Sequence, residues 1–468
     1  DLRTVRLTTA SSSMGDAVLN KDGTKLYYVA TYALGTALWE RDLETGNTVI
    51  KSTAVTFSQF DVDAEGKTAY YASGGQIKKL DISAGSVKNI DFECFHTTRP
   101  TAELACYFEH IWNQTREKLY DPGMNGADWN ALHKRYARFL PHINNGWDFA
   151  EMASELLGEL NVSHTGCSYR VGNSALTVAS LGVFLDEAYS GDGLRVAELI
   201  EGTPLYIHKC VAPGDIITHI DGKKIEAGRD YYPLLAGKAG RYTRLTVRPV
   251  KGKEKDVTVR LEASVSDALY RRWVRRCEHI VDSLSKGRLA YVHIQAMDGE
   301  SYHTLYRELL SDKNRNRDAV IVDTRHNGGG WLHNDVCELL SGTAAVTYTP
   351  RGQYIGTDPY NRWTKPSCML ICEDNYSNAH GTPWLYKEQA IGKLIGAPVP
   401  GTMTAVWWER RSNGFVFGIP EVGSLDRRGN YLENQQLEPD ILVVAQPEDM
   451  LHGRDIQLER AVSEMLKQ

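Results

Sequence analysis

Along residues 1–92, apolar and polar positions alternate with period two in short runs closed by tight turns. Tyr27 and Tyr28 lie in LNKDGTKLYYVA (19–30), and Tyr70 and Tyr71 in VDAEGKTAYYAS (62–73). Each run follows an Asp-Gly or Glu-Gly turn, and a second strand then closes at Thr45-Gly46 or Ala84-Gly85. The copies recur at roughly 43 residues, the length of one four-stranded propeller blade. A blade buries its faces against neighbours, so two blades are incomplete alone. The expectation is a propeller tail, with Asp1 inside the propeller of a longer protein. From Pro100 to Tyr169 the period becomes helical: Leu104, Phe108, Ile111, Trp112 and Leu119 share a stripe, and Asp128 is placed to cap the next helix. DFAEMASELLGELN (148–161) predicts a third helix ending near Gly158. Residues 176–262 return to short strands with Gly turns. From 265 onward, buried strands LAYVHIQAM (289–297), AVIVDTR (319–325) and SCMLICED (367–374) alternate with a helix over 301–312 and another starting near Thr382. That alternation predicts a parallel α/β layer.

Composition narrows the class. The 468 residues are 42% hydrophobic and 24% charged, an ordinary globular balance. At about 100–200 residues per domain, three or four domains are expected. A net charge of −6 gives no footprint for nucleic acid. No run of about 18 apolar residues exists to span a membrane. The cysteines (Cys94, Cys106, Cys167, Cys210, Cys277, Cys337, Cys368, Cys372) are scattered, without CxxC or a His pair at zinc spacing. No metal and no cofactor is expected.

Four stretches carry chemistry. In DTRHNGGG (323–330), consecutive glycines after a buried strand allow close backbone approach and present N–H groups to an oxyanion. EDNYSNAHG (373–381) is a strand-to-helix turn, where a nucleophile is exposed and an anion held, yet its centre is Ala379. LNVSHTG (160–166) sets His164, a candidate general base, beside Ser163. LENQQLEPD (432–440) offers Glu433 or Glu438 to orient that base. Separately, APGD followed by an Ile-rich strand and an Asp-Gly hairpin (211–225) resembles a PDZ domain, which takes up peptide by adding a strand at its sheet edge. The resemblance implies peptide contacts at Leu181, Gly182 and Val183.

Taken in order, these pieces resemble the tricorn protease family, relatives of the C-terminal processing (tail-specific) serine peptidases. REKLYDPGMNGADW (116–129) and GELNVSHTG (158–166) are similar to motifs of that family's helical domain. The resemblance covers the whole chain. It implies a multidomain α+β protein: C-terminal propeller blades (1–92), a helical domain carrying Ser163-His164 (93–172), a PDZ domain (173–264) and a crotonase/ClpP-like α/β peptidase domain (265–468). It implies His164 as general base, Ser163 and Glu433 as its supports, with Glu438 second, and oxyanion donors at His380 and at Gly328 or Gly329. Aligning Tyr376 and Gly381 to the family turn puts Ala379 where the nucleophilic Ser belongs. Three readings account for that alanine: an engineered knock-out, a natural pseudoenzyme, or a shifted alignment with Ser377 or Cys372 as nucleophile. The intact remainder of the site favours the first. The stretch 396–408 lacks the Lys of Ser/Lys peptidases, which favours a Ser–His base, and departs from the family's T-W-G-G run. Trp407 and Trp408 there could line a substrate groove. The implied function is hydrolysis of peptides or unfolded polypeptide by an inactivated serine endopeptidase in a ring-like homo-oligomer. The alternatives are a dead peptide-binding scaffold or another acyl-transfer enzyme on the same α/β domain. A likeness to exported relatives leans towards a periplasmic or secreted location.

Overall fold

The computed structural model describes the chain except residues 1–6, 9–11, 33–34, 54, 56, 58, 94, 96, 98, 171–176, 412 and 468. Asp1 and Cys94 lie outside the described residues. The other seven cysteines are free. Residues 1–98 and 99–468 form two compact units.

The first unit contains two four-stranded antiparallel sheets in simple sequence order, the form of propeller blades. The repeat persists in the side chains. Asn20 Oδ1 and Asp63 Oδ1 accept the N–H groups of Thr24 and Lys67 in equivalent turns. Asp42 and Asp81 likewise bond the N–H groups two and three residues on. Tyr27, Val29 and Leu38 from one sheet pack with Ala69, Tyr71 and Leu80 from the other.

The second unit starts with helices Pro100–Lys118, Trp129–Ala137 and Gly146–Gly158. Asp128 caps the second by accepting Ala131 N–H at 2.9 Å. Of the predicted stripe, Leu104, Phe108, Ile111 and Leu119 are buried. Trp112 is partly buried and exchanges indole-to-carbonyl bonds with Trp129. This core is completed from far along the chain: Phe415, Phe417 and Ile419 of strand Phe415–Gly423 fill it, and that strand pairs with Gly166–Tyr169. The helical segment and the end of the chain therefore share one core, which fixes Ser163-His164 against the α/β layer.

Residues 183–260 form a six-stranded sheet whose terminal strand, Val183–Leu185, pairs on one side only among the described residues. Beyond it, five parallel strands order as Leu289–His293, Ala319–Asp323, Ser367–Ile371, Lys393–Gly396 and Ile441–Leu442. The first three are buried throughout because helices cover both faces. At the carboxyl ends of the second and third strands lie the 323–330 and 372–377 loops, the usual ligand-facing rim of such a sheet. The following helix, Asn378–Glu388, starts earlier than the expected Thr382. Pro383 obscures it in sequence, since proline removes the N–H that would reach Ala379 O. Asn375 Nδ2 supplies the missing donor at 3.2 Å.

Candidate active site

The base half is a continuous hydrogen-bonded chain. Glu433 is only 5% exposed, and its Oε1 accepts Ser163 N–H at 2.6 Å. Ser163 O–H donates to Glu433 Oε2 at 3.0 Å, so its oxygen is free to accept from His164 Nδ1 at 2.7 Å. That order fixes the proton on Nδ1 and leaves Nε2 as the basic nitrogen. Thr404 Oγ1 closes the triangle, 3.0 Å from Nδ1 and 3.1 Å from Ser163 Oγ. Burial pushes the His164 imidazole down to about 4, so it is neutral at pH 7 and able to take a proton. Burial raises Glu433, and the two bonds from Ser163 oppose that rise. Glu438 plays no part in this chain: it is exposed, and its carboxylate meets Gln436 at 2.7 Å.

His164 has φ +65° and donates its N–H to Tyr376 OH at 2.7 Å, which ties the base to the strand-to-helix turn. The next residue in that turn, Ser377, has φ +58° and ψ −125°. A β-branched or bulky residue is badly strained there, and such strain concentrates where a side chain is thrust out of a sharp turn. The strain is held from several sides. Ser377 N–H donates to Thr402 Oγ1 at 2.9 Å, and Tyr376 N–H to Asn327 O at 3.1 Å. The Asn378 side chain accepts the N–H groups of Leu332 and His333. Gly329 packs so closely that a Cβ there would stand 2.5 Å from Ser377 Cβ and 3.0 Å from Asn378 N. Among the described residues, Ser377 Oγ and the N–H groups of Asn378 and Gly328 have no hydrogen-bond partner.

Position 379 differs completely. Ala379 is 0% exposed and belongs to the hydrophobic core between the sheet and its helices. Its N–H is spent on Tyr376 O at 3.0 Å. The expectation that a nucleophile belongs at 379 is therefore corrected: a side chain there points into packed core. The oxyanion expectation shifts with it. His380 N–H is bonded to Ser377 O at 2.8 Å and Gly329 N–H to Asn327 Oδ1 at 2.8 Å, while Gly328 N–H stays open. His380 itself is 1% exposed with both ring nitrogens unpartnered among the described residues, and burial pushes it down to about 4. Cys372 is buried, and burial raises its thiol to about 12, which suits a nucleophile poorly.

An open cleft of about 470 Å³ runs beside the site, lined by Ser163, Tyr376, Pro400, Thr402, Glu433 and Asn434. Trp407 is 58% exposed on strand Thr404–Arg410. Leu181 is buried in the core of the six-stranded sheet. Gly182 O accepts Ile200 N–H, and Val183 stands opposite Leu199 on the edge strand. Sequence reasoning missed Thr404, Thr402, Tyr376 and Asn327. Each lay in a stretch the sequence marks, Asn327 in DTRHNGGG, Tyr376 in EDNYSNAHG, and Thr402 and Thr404 in the stretch that departs from the family run, but no residue type there pointed to its contact.

Residues 288–443 match the model of peptidase family S41, residues 100–158 the tricorn protease C1 domain and residues 189–264 the tricorn protease PDZ domain. Tricorn protease of Thermoplasma acidophilum is 24% identical over 381 residues, which is 78% of this chain and 35% of the relative. Tricorn protease homolog 1 of Streptomyces coelicolor is 27% identical over 425 residues, 86% of this chain and 40% of the relative. The chain thus spans less than half the length of these curated relatives. The crystal structure of the tricorn protease superposes with a TM-score of 0.83 at 21% identity, covering 95% of this chain and 46% of that one. That likeness establishes the fold.

Proposed function

The chain belongs to the tricorn protease family, and from that premise we propose that it is a serine endopeptidase whose nucleophile is Ser377, acting on peptides or unfolded polypeptide. The observation that carries the proposal is the strained Ser377, its hydroxyl unpartnered among the described residues, next to Tyr376, which accepts the N–H of His164 at the end of the Glu433–Ser163–His164 chain. In this reading Ser377 Oγ attacks the scissile carbonyl and His164 Nε2 takes its proton. The tetrahedral oxyanion is received by the N–H groups of Asn378 and Gly328. His164 then gives the proton to the leaving amine, and water, deprotonated by the same imidazole, releases the acyl group. Ser163, Thr404 and Glu433 hold the ring and stabilise its charged form.

The remaining assignments follow the same reading. Residues 1–92 act as propeller blades, 93–172 as the helical domain, 173–264 as the PDZ domain and 265–468 as the peptidase domain. The free edge of Val183–Leu185 takes up extended peptide by strand addition, with contacts from the backbone of 181–183. Trp407 flanks the groove, and the chain works in a homo-oligomer. Cleavage of an unfolded polypeptide by the unaltered protein tests the proposal. Cleavage that Ser377→Ala abolishes supports it. Peptide binding with no cleavage would instead indicate a pseudoprotease scaffold.

A further inference from the structure

Outside the catalytic chain, three donors of different chemistry converge at the tips of the two loops that frame Ser377. A ring nitrogen of His326, Cys372 Sγ and an Asp374 carboxylate oxygen lie within 4.8 Å of one another. They come from the ends of adjacent parallel strands, Ala319–Asp323 and Ser367–Ile371. From the convergence of these three donors, we propose that His326, Cys372 and Asp374 bind one borderline-soft divalent cation of the zinc class, which clips the glycine loop to the nucleophile turn.

The donor set suits that ion. Imidazole, thiolate and carboxylate are the ligands zinc takes, and three of them leave the fourth position to water. The geometry needs little change. At present the Asp374 carboxylate bridges the site, 2.8 Å from His326 Nδ1 and 2.6 Å from Cys372 Sγ. Ligand atoms around a tetrahedral zinc stand roughly 3.5 Å apart, so each contact opens by less than about 1 Å. A supporting shell is already present. His326 N–H points at Cys372 Sγ at 3.2 Å, a bond that favours the thiolate. Trp273 stacks edge-on against the His326 ring at 5.7 Å. His326 keeps φ +63°, an unusual conformation that the loop maintains. His326 and Asp374 side chains are each 59% exposed, so an ion has a route in. On binding, the Cys372 thiol gives its proton to solvent and the sulfur bonds the metal.

The test uses cobalt(II) as a spectroscopic probe on the metal-free full chain. One equivalent of Co²⁺ is expected to bind with a thiolate-to-cobalt charge-transfer band, to be displaced by Zn²⁺ and to raise the melting temperature. Cys372→Ser should abolish the band. His326→Asn, which tolerates the left-handed backbone, should weaken binding about tenfold or more. Absence of the band in the unaltered protein would overturn the proposal, as would a band and affinity that survive both substitutions. These readouts involve no peptide cleavage, so they stand or fall apart from the assignment of Ser377.

Discussion

The two halves of the site are built on opposite principles. Around His164, the supporting groups are spent on one another: Glu433 accepts two bonds from Ser163, and Ser163 and Thr404 both reach the imidazole Nδ1, leaving Nε2 open. Around Ser377, the backbone is strained and the groups that face outward are unspent: a hydroxyl and two N–H groups without partners among the described residues. A base must be held in one tautomer and orientation, which rewards saturation. The proposed nucleophile and oxyanion hole must offer bonds to a substrate, which rewards groups left without protein partners. Two residues on, Ala379 shows the third possibility, a residue of the helix's first turn given wholly to the core.

The largest expected effect separates positions 377 and 379. Ser377→Ala should lower kcat by a factor on the order of 10⁴–10⁶. Ala379→Ser should give no gain in cleavage and cost about 1–3 kcal/mol of stability, because it buries an unpaired hydroxyl. Steady-state kinetics and denaturant unfolding read the two effects. Next, Glu433→Gln should lower kcat about 10²-fold, since it supports His164 through Ser163 rather than directly. Glu438→Gln should change kcat by less than about twofold, because its exposed carboxylate lies outside the chain of bonds. Thr404→Val should cost about tenfold or less in kcat, with KM little changed, the loss of one of two partners at Nδ1.

The smallest effect concerns His380, whose buried ring has no partner among the described residues. Its folded pKa of about 4 lies below the ordinary value of 6.5. The unfolded chain therefore binds the proton more readily, so stability is intact above about pH 6.5 and falls as the pH drops towards 4. His164, depressed to about 4 in the same way, contributes over the same window. His380→Leu should raise stability by about 1–2 kcal/mol at pH 7 and flatten part of the acid loss. Unchanged acid sensitivity would mean that the imidazole is satisfied in solution.

Much of this was legible in the sequence because it was local. The period-two and period-3.6 patterns pointed to blades, helices and buried strands, and the adjacent Ser163-His164 pair to the proposed base. Glu433 was chosen over Glu438 by resemblance, and the geometry supplies the reason in the two bonds to Ser163. What pattern could not give was anything set by distant contact. The pairing of Gly166–Tyr169 with Phe415–Gly423 joins segments far apart in the chain, and no local period encodes it. Thr404 reaches His164 only through that assembled sheet. Aligning the turn on its flanking Tyr376 and Gly381 pointed to position 379 rather than to the proposed Ser377. The backbone strain at Ser377 and the burial of Ala379 distinguish the two positions, and neither property is a matter of residue type.

Covalent labelling is the most direct test of the central claim. The unaltered protein would be treated with a serine-directed phosphonate and the adduct mapped by peptide mass spectrometry. The account predicts a single adduct on Ser377, lost in His164→Ala and in Ser377→Ala. No adduct, or one on any other residue, would contradict it.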